Sequence, residues 1–300
     1  MGQSTVLKTI LTDTLEIAYE EGGQADGQPV ILLHGFPDDP RAWDNVVGPL
    51  TADGFRTIVP YLRGFGPTRF LHADTLRSGQ QAALAYDLNG LIDGLKLQPS
   101  ILAGYDWGAR AACTVTALWS TKVIGLVSIG GYNIADDRQP APARQEYRGW
   151  YQWYFQTERG KAGLEQNRRG ICRLLWELWC PNWKFTDAIF AETARSFDSR
   201  DFVDIVIHSY RHRYGAAAGD PSLEAIEQQL AAQPRINVPT IVLHGAGDGV
   251  HPLGLSEGQE KLFSARYERR VIPTAGHLFP REAPEAVIAA VRELASHTHA

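Results

Sequence analysis

The stretch SILAGYDWGARAACTVTAL, residues 100–118, decides the fold. An apolar run, Ser100 to Ala103, leads into Gly104-Tyr105-Asp106-Trp107-Gly108, and a helical run, Ala109 to Leu118, follows. Gly-x-nucleophile-x-Gly between a strand and a helix is the spacing of a nucleophile elbow, a sharp turn that lifts its middle side chain clear of a sheet edge. The two glycines leave room for that turn. Serine usually holds the middle position; here it is Asp106.

Working outward, other short apolar runs read as buried parallel strands: Pro29 to Leu33, Arg56 to Val59, Val123 to Ile129, Thr240 to Leu243 and Arg269 to Ile272. Helical patterns alternate with them. Leu84, Leu88, Leu91 and Leu95 form one apolar stripe, and Val287, Ile288, Val291 and Leu294 form another after Pro284. Strands alternating with helices predict an α/β fold whose mostly parallel central sheet carries helices on both faces. The alternation breaks between Tyr132 and Asn237. That stretch is helical in pattern and holds five of the eight tryptophans: Trp150, Trp153, Trp176, Trp179 and Trp183. It reads as a helical cap, residues 132–237, inserted into a core made of residues 1–131 and 238–300.

Composition narrows the function classes. The 300 residues are 44% apolar and 21% charged, as expected of a folded globular chain. A net charge of -5 supplies no basic field for nucleic acid or anionic lipid. No apolar run is long enough to span a membrane, and the first twenty residues lack the apolar core of a signal peptide. Cys113, Cys172 and Cys180 are odd in number and lack metal-ligand spacing. Reduced thiols, a cytoplasmic location and no metal or organic cofactor are the expectation. The chain is expected to act as a monomer or homodimer on a small molecule and water.

An elbow needs a base and a group to orient it. His277, in TAGHLFPRE, follows the last strand at the carboxyl edge of the sheet, where chemistry in open α/β sheets gathers. Asp248, in LHGAGDGV, follows the strand before it. The order nucleophile, acid, histidine then runs Asp106, Asp248, His277. His251 is the rival base, and His244 reads as structural. After the first apolar run comes HGFPDDP, residues 34–40. The peptide N–H groups of Phe36 and Trp107 are placed to form an oxyanion hole, with His34 organising the loop. Phe36-Pro37 is a candidate cis bond.

With HGFP, the RGFG of residues 63–66, DWGAR, the Asp248 loop and the AGH before a helix, the chain resembles the α/β-hydrolases of the epoxide hydrolase and haloalkane dehalogenase group. The resemblance covers nearly the whole chain and implies the α/β-hydrolase fold with its cap. Chemistry narrows the reaction further. A carboxylate attacking an ester would form a high-energy anhydride. Attack on a saturated carbon gives an alkyl ester that water can cleave. Asp106 therefore implies substitution at carbon, with an epoxide oxygen or a halide leaving.

An opening epoxide generates an alkoxide and wants an acid that stays protonated at neutral pH, as tyrosine does. YQWYFQTERG resembles the first cap-tyrosine motif of epoxide hydrolases, and its leading tyrosine matches Tyr151. HSYRHRYG resembles the second and matches Tyr210. Tyr154 and Tyr214, a turn away, are expected beside Phe36 and Trp107 among substrate-binding side chains. Dehalogenases of the group typically carry Asn where this chain has Phe36. Expected, then, is hydrolysis of an apolar epoxide to a vicinal diol through an ester on Asp106, cleaved by water that His277 activates. The alternatives are a haloalkane or haloacid dehalogenase and, in another class, a non-catalytic binder using the same pocket.

Overall fold

The computed structural model describes residues 6–134 and 140–296. In chain order come β1 (Val6–Leu11), β2 (Leu15–Gly22), β3 (Pro29–Leu33), α1 (Asp44–Ala52), β4 (Arg56–Pro60), β5 (Arg69–Phe70), α2 (Gln81–Gly94), β6 (Ser100–Tyr105), α3 (Trp107–Leu118) and β7 (Val123–Ile129). Six helices follow: α4 (Ala143–Arg148), α5 (Trp150–Tyr154), α6 (Glu158–Trp179), α7 (Asp187–Thr193), α8 (Phe202–Arg213) and α9 (Glu224–Ala231). The chain then returns through β8 (Thr240–Gly245), β9 (Tyr267–Ile272), α10 (Phe279–Glu282) and α11 (Pro284–Ser296).

The described strands form one sheet in the order β1-β2-β4-β3-β6-β7-β8-β9, with β5 beside β2. From β4 to β9 every pairing is parallel. Helix α1 packs on α11, α2 packs on α3, and α3 and α11 lie against the central strands. Strands β3, β6 and β8 are buried along their whole length, which is why they read as unbroken apolar runs. All six expected strands form. The hairpin of β1 and β2, antiparallel to each other and to β4, was not anticipated. β1 is almost wholly exposed, and Glu20 and Glu21 of β2 interrupt the apolar pattern. No helix among the described residues is long and apolar enough to cross a membrane.

The helical segment between β7 and β8 leaves and rejoins the sheet at one place, since the Tyr132 hydroxyl donates to the Pro234 carbonyl at 2.7 Å. A buried clamp ties it to the rest. Arg281 of α10 donates to both Asp38 carboxylate oxygens, at 2.9 and 2.6 Å, and to Thr193 of α7 at 2.7 Å. The Tyr105 hydroxyl adds a third bond to Asp38 at 2.6 Å. One carboxylate thereby joins the loop after β3, the end of β6 and the turn after β9.

Removing one member of a buried ion pair strands the other's charge, at a cost of about 3–5 kcal/mol. Arg281→Met is therefore expected to lower unfolding stability by about that amount. Urea unfolding of the variant beside the parent measures it; a loss within error would make the clamp energetically idle.

Candidate active site

Strand β6 ends at Tyr105 and α3 begins at Trp107, so Asp106 alone makes the turn. Its φ of 50° lies in the left-handed region that L-residues avoid, a strained conformation held by its surroundings. Two glycines make the approach possible. A Cβ on Gly108 would meet the Leu33 carbonyl oxygen at 2.2 Å, and one on Gly35 would meet Asp106 Cβ at 2.5 Å. Because nothing larger fits, the loop after β3 lies directly over the carboxylate. There the Phe36 N–H donates to Asp106 Oδ1 at 2.8 Å. Trp107, the next residue, opens α3, so the carboxylate also stands at the positive end of that helix.

His34 shapes this loop. Its Nε2 accepts from the Leu62 N–H at 3.1 Å, so Nδ1 carries the proton and donates to the Gly35 carbonyl at 3.0 Å. Burial pushes its pKa down to about 4, which keeps it a neutral hinge pin. The Phe36-Pro37 bond is cis.

His277 Nδ1 lies 2.8 Å from Asp248 Oδ2, while Asp248 Oδ1 accepts the N–H groups of Val250 and His251 at 2.8 and 2.7 Å. His277 Nε2 is directed at Asp106 Oδ2, 3.7 Å away. At that separation the contact is an ion pair, and Nε2 has no hydrogen-bond partner among the described residues. Burial works against the imidazolium, but the Asp248 and Asp106 carboxylates outweigh it and raise His277 to about 10. Burial likewise opposes the Asp106 carboxylate. The His277 charge, aided by the Phe36 N–H, wins and lowers Asp106 to about 2.

His251 is the neighbour of this pair. Its ring packs against His277 at 5.0 Å, and burial first, then the His277 charge, depress it to about 4. Donor atoms of Asp248, His251 and His277 lie within 4.8 Å of one another, close enough to hold a metal. The carboxylate is already taken up by His277 and two peptide N–H groups, the arrangement of an acid-base pair. His244 is buried between Ser256 and the His251 carbonyl, in a structural role.

Aromatic rings roof the carboxylate. Phe36 is central, with Trp107 stacked at 5.4 Å, Tyr210 at 5.7 Å and Tyr151 at 6.3 Å. Tyr151 on α5 and Tyr210 on α8 are both buried, with ring centroids 5.3 Å apart. Each phenol feels the other and the Asp106 charge. Burial, with help from that charge, raises both phenols above their ordinary value, so each is a protonated donor at neutral pH.

The structure thus brings Asp106, His277, Asp248, Phe36, Trp107, Tyr151 and Tyr210 together. Tyr154 and Tyr214 find their partners elsewhere. The Tyr154 ring packs on Trp150 and its hydroxyl lies over Gly163 of α6, while Tyr214 stacks on half-exposed Trp153 and donates to Gln152. Both sit a turn on from the inward-facing tyrosines at a helix end, Tyr154 as the last residue of α5 and Tyr214 just past α8. Two neighbours escaped the reading of the sequence. Trp179 packs on His277 at 4.9 Å and on Tyr151 at 5.2 Å, and Gln152 donates to the Tyr151 hydroxyl at 2.8 Å. Gln152 adjoins Tyr151 in the motif, its only signal, and Trp179 was one of five tryptophans in the helical stretch with nothing to single it out.

Comparison with known proteins agrees with this architecture. The family model of the alpha/beta hydrolase fold matches residues 28–284. Epoxide hydrolase A of Mycobacterium tuberculosis is 24% identical over 94% of both chains. A haloalkane dehalogenase of Mycobacterium marinum is 32% identical over 40% of this chain and 41% of its own. The crystal structure of a candidate epoxide hydrolase from Klebsiella pneumoniae superposes with a TM-score of 0.93, at 45% identity and 96% coverage of each chain. An aspartate at the elbow, its histidine and acid in α/β-hydrolase order and these relatives lead to one conclusion: the chain belongs to the α/β-hydrolase fold family, in the group of the epoxide hydrolases and haloalkane dehalogenases.

Proposed function

We propose that this protein hydrolyses epoxides to vicinal diols through a covalent ester on Asp106. The observation that carries the reading is the pair of protonated phenols, Tyr151 and Tyr210, held together above a carboxylate that stays ionised. An opening epoxide needs both at once: a nucleophile at carbon and a proton at oxygen. The relatives named epoxide hydrolase support it. Residues 132–237, of which 135–139 lie outside the described residues, serve as the cap that brings the tyrosines over the core.

With Oδ1 held by the Phe36 N–H, Oδ2 is the attacking oxygen. It forms a bond to one ring carbon as the carbon–oxygen bond of the epoxide breaks, and a cap tyrosine protonates the oxygen. With the Asp106 charge lost to the ester, the His277 imidazolium gives up its Nε2 proton; water then passes a proton to Nε2 and adds to the carboxyl carbon of Asp106. The resulting oxyanion falls on Oδ1, where the N–H groups of Phe36 and Trp107 stabilise it. Collapse releases the diol and restores the carboxylate. The rings of Phe36, Trp107, Tyr151, Phe155, Trp179 and Phe202 favour an apolar substrate, an aryl or alkyl epoxide.

A second reading, haloalkane dehalogenation, has one observation of its own. The indole N–H groups of Trp107 and Trp179 are buried without a hydrogen-bond partner among the described residues, and a departing halide needs such donors. A panel of epoxides and haloalkanes, read for diol and for released halide, separates the two. Diol from a styrene-oxide-like compound without halide release supports the first reading; halide alone would replace it with the second.

The two half-reactions depend on different residues, which makes them separable. His277→Ala is expected to form the ester and fail to release product, so its mass should rise by one substrate, located on the peptide bearing Asp106. An adduct elsewhere would mean that the elbow is not the nucleophile. Tyr151→Phe and Tyr210→Phe should each slow diol formation about ten-fold or more, and the double variant should nearly abolish it. Full activity in all three would make the phenols packing residues.

The raised His277 pKa fixes the sign of a pH effect. A group whose pKa rises on folding contributes stability that is complete below its ordinary value, near 6.5, and is lost as pH rises through about 10. Asp106→Asn removes one of the two carboxylates responsible. In that variant the His277 pKa should fall below about 10, followed by NMR titration of the ring. An unmoved titration would show that Asp248 alone holds the proton.

A further inference from the structure

Around Tyr151 the polar contacts form a chain. Gln152 Nε2 donates to the Tyr151 hydroxyl at 2.8 Å, and the Tyr214 hydroxyl donates to Gln152 Oε1 at 2.5 Å. Tyr214 is itself held by its stack on Trp153, 4.6 Å between centroids. One turn on, Gln156 Nε2 donates to the carbonyls of both Gln152 and Tyr210, each at 2.9 Å, and so fastens α5 to α8. Gln156 thus holds the backbone of Tyr210, whereas the Tyr151 hydroxyl itself receives a side-chain amide. The Tyr210 ring has the Tyr151 ring for its neighbour, 5.3 Å between centroids, while Arg213 lies over the Tyr210 ring at 4.8 Å.

A phenol oxygen that accepts an amide N–H keeps its own proton free to donate. When that proton leaves, the phenolate is stabilised at once by the N–H already in place. The Gln152 amide is such a donor to Tyr151. The charged groups that face it are Asp106, which opposes ionisation, and Arg213, which favours it.

We propose that Gln152, oriented by Tyr214, is a positioning residue that makes Tyr151, rather than Tyr210, the proton donor in ring opening. The proposal rests on the epoxide-hydrolysis reading above. As Asp106 Oδ2 bonds to carbon and the epoxide carbon–oxygen bond breaks, the Tyr151 proton passes to the freed oxygen, leaving a Tyr151 phenolate. Tyr210 hydrogen-bonds the same oxygen and keeps its proton. In the second half-reaction the His277 imidazolium first releases its proton to solvent, solvent reprotonates Tyr151, and the proton that water then gives to His277 restores the imidazolium. The sum is one water added and no net change in the protein.

The test uses the full chain, styrene oxide as probe, and rapid quench with mass measurement of the Asp106 ester. Gln152→Leu should slow ring opening about ten-fold and leave ester hydrolysis unchanged. Tyr214→Phe should slow it about three-fold, as loss of one hydrogen bond to the orienting amide would. Gln152→Leu should keep its full effect in a Tyr210→Phe background and have none in a Tyr151→Phe background. A readout independent of turnover is tyrosinate absorbance. The ionisation that Tyr151→Phe abolishes should move to higher pH in Gln152→Leu. Ring opening indifferent to Gln152, or equal effects in both tyrosine backgrounds, would overturn the proposal and leave epoxide hydrolysis standing. No ester in the parent protein would overturn both.

Discussion

A carboxylate buried among aromatic rings has to be kept charged. Burial alone pushes an aspartate toward its neutral form, which cannot attack carbon. Here the opposite happens because three positive features converge on Asp106: the Phe36 N–H, the first turn of α3 and the His277 imidazolium. Reaching all three requires the left-handed turn at Asp106 and the close passage of Gly35 and Gly108. The sheet order serves the same end. β3 and β6 are neighbours, so the loop after one covers the turn after the other, and β8 and β9, beyond β7, end at the same edge to deliver Asp248 and His277. The same treatment of buried charge recurs away from the chemistry, in Asp38 with Arg281 and in the two-bond pair of Arg63 with Asp87.

What could be read from the sequence follows from how much each residue's surroundings restrict it. Parallel strands covered on both faces must be apolar throughout, so β3, β6, β7 and β8 announce themselves. The elbow and its acid-base partners were legible for a related reason, since each sits at a strand end where the turn fixes the chemistry. The β1–β2 hairpin was not legible because its strands escape that rule. β1 is exposed, and Glu21 of β2 is satisfied by Lys8 and Arg56 rather than excluded. In the helical segment, aromatic residues are so dense that composition could not say which rings face inward. Tyr151 and Tyr210 stood out through motif resemblance. Trp179 looked like any other packing tryptophan, and Gln152 like any other polar helix residue.

The site divides its tasks between the two parts of the chain. The sheet edge supplies charge: the Asp106 carboxylate, an imidazolium and peptide dipoles. The helical segment supplies neutral, protonated oxygens in an apolar roof. Exchanging these settings would fail on physical grounds. A phenol at the sheet edge, beside the His277 imidazolium and the Phe36 N–H, would be pulled toward its ionised form. A carboxylate among the roof rings would be driven to its neutral one. Separate mounting lets each group keep the protonation state that the proposed ring opening asks of it.

Separation also orders the two half-reactions. In the resting protein His277 is an imidazolium, because two carboxylates hold its proton. In that state it cannot accept a proton from water, and it stabilises the Asp106 charge. On the proposed mechanism, alkylation turns Asp106 into a neutral ester and removes one of those two carboxylates. The imidazolium loses the partner that faced Nε2 and keeps the one that faces Nδ1, so its proton is released more readily from the side where water is to be activated. Asp248 continues to fix the ring while the proton leaves. The base therefore becomes available only after the bond it is needed to break has formed, and the change of charge on Asp106 is the event that makes it so.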